Sequence, residues 1–197
     1  MFNFVMSFFS NQAVPLKPSE YQAVYDACKL VDSRRDQIET VCGRITKSRE
    51  RYQAVADKVG LPWFLIGAIH YRESSCNFST HMANGDPLFD SHGNGLLTVH
   101  VPRGKGPYKN WEESAIDSLG KRPMFKTVGE CLAYSEVYNG LGYRKKSIKG
   151  SKGIPSPYVW AGTDYYRGGK YVADGVFNMN VWDKQLGCAA IFKGLGL

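Results

Sequence analysis

The chain has 197 residues, 43% of them hydrophobic and 22% charged, enough for one domain with its own core and no metal or disulfide staples. No run of about 18 or more apolar residues occurs, which excludes a membrane-spanning helix. A net charge of +7 points to anionic partners: nucleic acid, anionic lipid or the phosphate-bearing bacterial envelope.

The opening "MFNFVMSFFS" is apolar but short and lacks the positive n-region of a secretory signal, so residues 1–18 read as an N-terminal tail, with a cleaved signal as the lesser alternative. A chain made in the cytoplasm and acting outside it then needs a separate route out. Ser19 is placed to cap a helix from Glu20 to about Val31. Next, Ile38, Val41, Ile45, Tyr52, Val55 and Val59 fall on one helical stripe through "RDQIETVCGRITKSRERYQAVADKV". The "GLP" of Gly60–Pro62 stops that helix and starts another, with Pro in its first turn. The new helix, Pro62 to about Ser75, is apolar all round, as a buried central helix is.

Then the texture changes. "NGDPLFDSHGNG" (Asn84–Gly95) is turn chemistry and "LLTVHV" (Leu96–Val101) is β-like, which predicts a small hairpin among helices. Helices resume at "WEESAIDSL" (Trp111–Leu119) and "TVGECLAYSEVY" (Thr127–Tyr138). A Gly- and Tyr-rich irregular segment follows, and "NVWDKQLGCAAIFKGL" (Asn180–Leu195) is expected to close the chain as a helix. The expected class is α+β, mainly α, with residues 19–197 as one domain.

Five cysteines, Cys28, Cys42, Cys76, Cys131 and Cys188, are odd in number and form no CxxC pair. That argues against a zinc ribbon or a dense disulfide framework and fits reduced thiols.

The chemistry centres on "AIHYRESSCNF" (Ala68–Phe78), where Glu73 ends a segment that begins with the apolar run "WFLIGAI" (Trp63–Ile69). Burying a carboxylate is costly unless it is paired or neutral. The helix macrodipole adds only about 0.3–1 kcal/mol against an anion at a C-terminal end; burial weighs more. Arg72 is adjacent, but neighbours on a helix point in different directions. A Glu so placed stays protonated near neutral pH, as a general acid for glycosidic cleavage must. The plain alternative is an exposed last-turn Glu, or one paired with Lys or Arg.

"ESSCNF" (Glu73–Phe78) resembles the Glu-Ser motif of lytic transglycosylases and goose-type lysozymes, and "YNG" (Tyr138–Gly140) resembles their Tyr-Asn motif. More closely, "RESSCNFSTHMANGDPL", "TVHVPRGKGP", "WEESAIDSL", "YNGLGY" and "SPYVWAGTDYY…GKYVADGVF" together resemble a phage and bacterial group of lysozyme-like peptidoglycan hydrolases, the endolysins. The likeness runs from about Tyr52 to Phe177, with the blocks in the expected order. One departure is that "FDSHGNGLL" (Phe89–Leu97) is longer than the corresponding link in that group.

The resemblance implies a lysozyme-like fold and cleavage of the β-1,4 bond between N-acetylmuramic acid and N-acetylglucosamine, with Glu73 protonating the leaving oxygen. A hydrolase needs a second group, and Asp86 in "NGDPL" is the first candidate and Asp90 the second. Each also reads as a turn Asp bonded to its own backbone. A lytic transglycosylase needs no such group, because the muramoyl 6-hydroxyl closes an anhydro ring. Hydrolysis is preferred because an Asp follows the acid inside the expected hairpin. Substrate contacts are expected from Ser74, Thr98, His100, Tyr138, Asn139 and Tyr143, with Tyr158 and Trp160 as further aromatics of the Gly-rich stretch. No cofactor is implied. The implied partner is peptidoglycan in an anionic envelope, met by a monomer released through a separate pore, with no nucleic acid and no membrane span.

Three rivals remain. "HYRES" (His70–Ser74) is H-x-x-E, and His81, His92 and His100 offer further ligands for a zinc amidase or peptidase, though the helix lacks a second His. A Cys76/His81 amidase lacks the usual activation of its thiol by a helix N-terminus. A polyanion-binding module would use the basic run "YRKKSIKGSKG" (Tyr143–Gly153), in which Lys145, Lys146 and Lys149 would also aid capture of an anionic wall.

Overall fold

Proline fixes the backbone for a first helical turn, and Pro18 opens α1 (Pro18–Ala27) in the computed structural model, which describes residues 16–144, 153–173 and 175–197. The start thus precedes Glu20, and the cap is Lys17, whose N–H donates to the Glu20 carboxylate at 2.6 Å, rather than Ser19. The helix also ends before Val31, because Leu30 bridges to Thr163 and Val31 N–H donates to Gly162 O at 3.0 Å. The expected tail lies mostly outside the described residues, as do Lys145, Lys146 and Lys149.

The long stripe is two helices, α2 (Arg35–Lys47) and α3 (Arg49–Val59), broken at Ser48. All six stripe residues are buried, so the periodicity found the face and missed the break. Gly60 and Pro62 separate α3 from α4 (Trp63–Ser74), which is buried from Leu65 through Tyr71. At Gly67 a Cβ would stand 2.6 Å from Ile45 Cγ2 and 3.2 Å from the Tyr52 ring, so only glycine lets α4 lie this close to its neighbours.

Helix α5 (Trp111–Leu119) has the expected bounds, with Asn110 accepting from Glu113 N–H as its cap. Helix α6 (Val128–Asn139) opens on a capping box made by Thr127 and Glu130. It packs against α1, where Tyr21 donates to the fully buried Glu136. Arg144 closes this contact with two hydrogen bonds to Glu136, at 2.9 and 2.8 Å, and lies over the Tyr21 ring. Arg144 is therefore an internal partner of a buried carboxylate and no part of a free basic surface.

The named sheet is not where the sequence pattern puts it, although isolated antiparallel bridges pair Thr80 with Pro87 and Phe89 with Gly95 in the region of the expected hairpin. "LLTVHV" forms no named strand: Leu97, Val99 and Val101 are exposed while Thr98 is buried. Polar bonds set that inverted pattern, as Thr98 Oγ1 donates to Pro102 O at 2.5 Å and accepts from Lys105 N–H at 2.9 Å. The two-stranded antiparallel sheet is β1 (Lys170–Ala173) with β2 (Val176–Asn178), inside the Gly- and Tyr-rich segment expected to be irregular.

The final helix is also shorter than expected. After the single turn of α7 (Pro157–Trp160), α8 spans only Cys188–Gly194, and residues 180–187 are irregular. A Cβ on Gly187 would lie 2.5 Å from the Val159 backbone, so the chain must pass α7 before a helix can start. Apolar residues of α1 through α8 join one buried cluster. The described fold is mainly helical with one small sheet, and none of its helices is long and apolar enough to cross a membrane.

Candidate active site

Helix α4 carries its polar residues only at its end. Glu73, one residue from the C-terminus, is partly exposed, and its Oε1 accepts a hydrogen bond from Tyr158 Oη at 2.8 Å. Burial pushes its carboxyl above the ordinary range, against the opposing pulls of the Tyr158 hydrogen bond and the Arg72 charge. The helix ends in two consecutive left-handed non-glycine residues, Ser75 at φ 56° and Cys76 at φ 62°. Such backbone costs about 1–3 kcal/mol per residue and is found where surrounding structure enforces it. Here Ser75 N–H donates to Tyr71 O, Cys76 N–H donates to His70 O, and Arg44 donates to Ser75 O at 3.0 Å.

Arg72 does not neutralise Glu73 by direct pairing. Its Nη2 donates to Asp183 Oδ2 at 2.8 Å and its Nη1 to Leu186 O at 3.2 Å, with the guanidinium 4.8 Å from the centre of the Tyr158 ring. The expectation that neighbours diverge on a helix thus holds, and the true partner lies far along the chain.

Tyr158 is buried, and burial together with the Glu73 charge keeps its phenol neutral. Tyr138 is held likewise, by burial first and then by Glu73, and its hydroxyl shares a 2.8 Å hydrogen bond with Ser118. A cleft of about 360 Å³ opens alongside, with Arg72, Asn139, Tyr143, Tyr158, Lys170 and Asp183 among its walls. Tyr158 belongs to both places, with its hydroxyl on Glu73 and its side chain on the cleft wall. The structure therefore brings Glu73, Tyr138, Asn139 and Tyr143 to one end of α4. Tyr143 is buried and accepts from Tyr171 N–H at 3.1 Å, so its hydroxyl is engaged in holding β1. Ser74 donates to His70 O at 3.4 Å, one turn back. Trp160 is buried and stacks on Tyr21, a core role.

Asp86, Thr98 and His100 form a different assembly. The turn before Asp86 touches the site, since a Cβ on Gly85 would lie 3.2 Å from Glu73 O. The Asp86 carboxylate itself is bound into its loop: Oδ2 accepts from Val99 N–H, His100 N–H and Asn84 Nδ2 at 2.8, 2.9 and 3.0 Å. Its Oδ1 faces His100 Nδ1 at 2.5 Å. Three donors crowd Oδ2, which has two lone pairs, while Oδ1 has the His100 ring beside it and one lone pair to spare. Desolvation pushes this carboxyl up, but the hydrogen bonds from His100 and Val99 prevail and hold it at about 2. Asp90 closes the longer link in the same manner, accepting from His92 N–H, Asn94 N–H and Asn94 Nδ2, each at 2.8 Å. Both aspartates have the geometry of loop anchors.

His70 is a core histidine. Its Nε2 donates to Asn77 O at 3.1 Å, its Nδ1 accepts from Tyr52 Oη at 3.0 Å, and burial pushes it down to about 4. With both nitrogens engaged it offers no lone pair to a metal, and no group of three or more His, Cys, Asp or Glu is placed for one among the described residues. The five cysteines are buried thiols; burial pushes Cys76 up, its hydrogen-bonding neighbour is Tyr52, and His81 Nε2 donates to Leu96 O at 3.1 Å.

The pairs that sequence reasoning missed are Tyr158 with Glu73 and Arg72 with Asp183. Both partners are visible as polar residues in otherwise apolar or irregular stretches, but no periodicity links positions so far apart. Compared with known proteins, the chain matches no family model, no curated protein and no solved structure.

Proposed function

We propose that the chain is a peptidoglycan glycosidase of the lysozyme-like type, cleaving the β-1,4 bond between N-acetylmuramic acid and N-acetylglucosamine with Glu73 as general acid. The observation that carries this reading is the Glu73 carboxyl at the end of a buried helix, pushed up by burial, oriented by Tyr158 and set beside a polar, aromatic cleft. A protonated carboxyl held by one neutral donor can deliver its proton to a glycosidic oxygen, and this kind of catalysis contributes about 10²–10⁴-fold. Asn139 and the tyrosines of the cleft would bind the sugar through hydrogen bonds and ring faces.

A specific observation favours the non-hydrolytic version of this chemistry. Asp86 and Asp90, the carboxylates expected to serve hydrolysis, both have their oxygens committed to loop donors. A lytic transglycosylase needs no second carboxylate, since the substrate's own hydroxyl attacks and Glu73 can take its proton back. Mass spectrometry of the muropeptides released from purified sacculi decides the matter. A 1,6-anhydro product supports the transglycosylase, a reducing end supports the lysozyme, and peptide cleavage alone would sink both. The same digestion with a chelator present tests the zinc amidase reading.

A further inference from the structure

The cleft beside Glu73 carries charge that a proton transfer does not use. Among the described residues on its wall, Arg72, Lys170 and Asp183 are charged. Asp183 is buried and bridges both cations, with Oδ2 on Arg72 at 2.8 Å and Oδ1 on Lys170 at 3.2 Å. Hydrogen bonding and the Arg72 charge outweigh desolvation and keep Asp183 ionised. One anion against two cations leaves this wall with a positive charge in excess.

The two cations differ in what they have left to offer. Arg72 is only 8% exposed in its side chain and is tied to Asp183, Leu186 O and the Tyr158 ring. Lys170, at the start of β1, is 37% exposed in its side chain, and Asp183 engages one of the three N–H donors of its ammonium. An ammonium on a flexible stem accepts an anionic oxygen from many directions. On the same wall the buried Arg72 Nε has no acceptor among the described residues, so a second donor is already desolvated there.

We propose that this cleft reads a carboxylate of the substrate, with Lys170 receiving it and Asp183 holding Lys170 in place. The proposal rests on the peptidoglycan reading and narrows it. Muramoyl glycans offer two such groups: the lactyl carboxylate, free where the peptide stem is missing, and the carboxylates of the stem itself. A homopolymer of N-acetylglucosamine offers neither.

Calorimetric binding to the Glu73→Gln protein, which leaves the strands uncut, separates these cases. The probes are stem-bearing glycan strands, strands stripped of their stems by an amidase, and an N-acetylglucosamine hexamer. Lys170→Gln is expected to raise Kd for one or both muramoyl strands about three- to tenfold, the range for a partly exposed charged contact, and to move the hexamer by less than about twofold. Lys170→Arg should recover most of the loss. A loss confined to stem-bearing strands assigns the carboxylate to the peptide; one confined to stripped strands assigns it to the lactyl group. An equal loss with all three probes marks a structural role for Lys170 and overturns the proposal, as does no loss with any. If the Glu73→Gln protein still cuts strands at the wild-type rate, the general-acid reading falls, and the Lys170→Gln comparison is then read from KM on the two muramoyl strands and from binding of the hexamer.

Discussion

Glu73 and Asp86 lie close in sequence, the first partly exposed and the second buried, and both feel desolvation, yet the fold sends their carboxyls in opposite directions. Glu73, at the end of α4, has one neutral donor in Tyr158, and burial pushes it toward the protonated form. Asp86, in the loop after α4, has four donors about its two oxygens and is held at about 2. Shielding alone therefore does not decide ionisation; the number of donors that accompany it does. The same count decides availability. A carboxyl with one partner is free to exchange a proton with a substrate, whereas one with four is committed to the backbone it holds.

The largest effect that tests this contrast is expected at Glu73. Glu73→Gln should lower turnover on sacculi by about 10²-fold or more while keeping the fold. Its stability should show the opposite sign. A carboxyl raised in the folded state stabilises fully below its unfolded pKa, and that contribution is lost as pH rises through the folded value. The glutamine protein should then melt at or above the wild-type temperature at mildly alkaline pH. Near-normal lysis of permeabilised Gram-negative cells by this variant would remove Glu73 from the chemistry.

Asp86→Asn should act on stability first. The amide loses the charge that the four donors are drawn to and turns N–H groups toward some of them, at a cost of about 1–3 kcal/mol. Chemical denaturation at neutral pH measures it. In the wild type the Asp86 contribution is present above the ordinary Asp range and is lost as pH falls toward about 2, with a size of about 1–2 kcal/mol once solvent screening is allowed for. If Asp86→Asn abolishes activity with its melting temperature unchanged, the loop-anchor assignment is wrong and a hydrolytic second carboxylate returns.

Tyr158→Phe removes the single donor on Glu73. Because that hydrogen bond lowers the Glu73 pKa, its loss should raise it further and move the alkaline limb of the pH–rate profile upward, with less than about a tenfold change in the best rate. A limb that stays in place would mean that Tyr158 does not tune the acid. The smallest effect is expected at Asp90. Its carboxylate closes an exposed loop, so Asp90→Asn should leave turnover on sacculi within about twofold and barely shift the melting temperature. A large loss of activity there would single out Asp90, and not Asp86, as the missing partner of Glu73.

Local rules made much of this chain legible in its sequence. Where a helix is set by its own cap and apolar face, as in Trp111–Leu119, or by its apolar face alone, as along the Ile38 to Val59 stripe, periodicity located that face, because such signals span only a few residues. The position of Glu73 at the end of a buried helix was readable for the same reason. What the sequence could not determine depends on residues that meet across the fold. Asn180–Gly187 has helical composition but is held irregular, by Asp183 binding Arg72 and Lys170 and by Gly187 pressed onto α7. "LLTVHV" has strand composition but turns its apolar side chains outward, because Asp86 and Thr98 claim its backbone. The state of each carboxyl was decided the same way: Tyr158 reaches Glu73 only through the packing of α7, and the donors on Asp86 come from a loop whose path no local pattern encodes. Composition and spacing placed the acidic groups along the chain, and tertiary contacts, which alone set desolvation and donor number, decided which of them is pushed toward the protonated form.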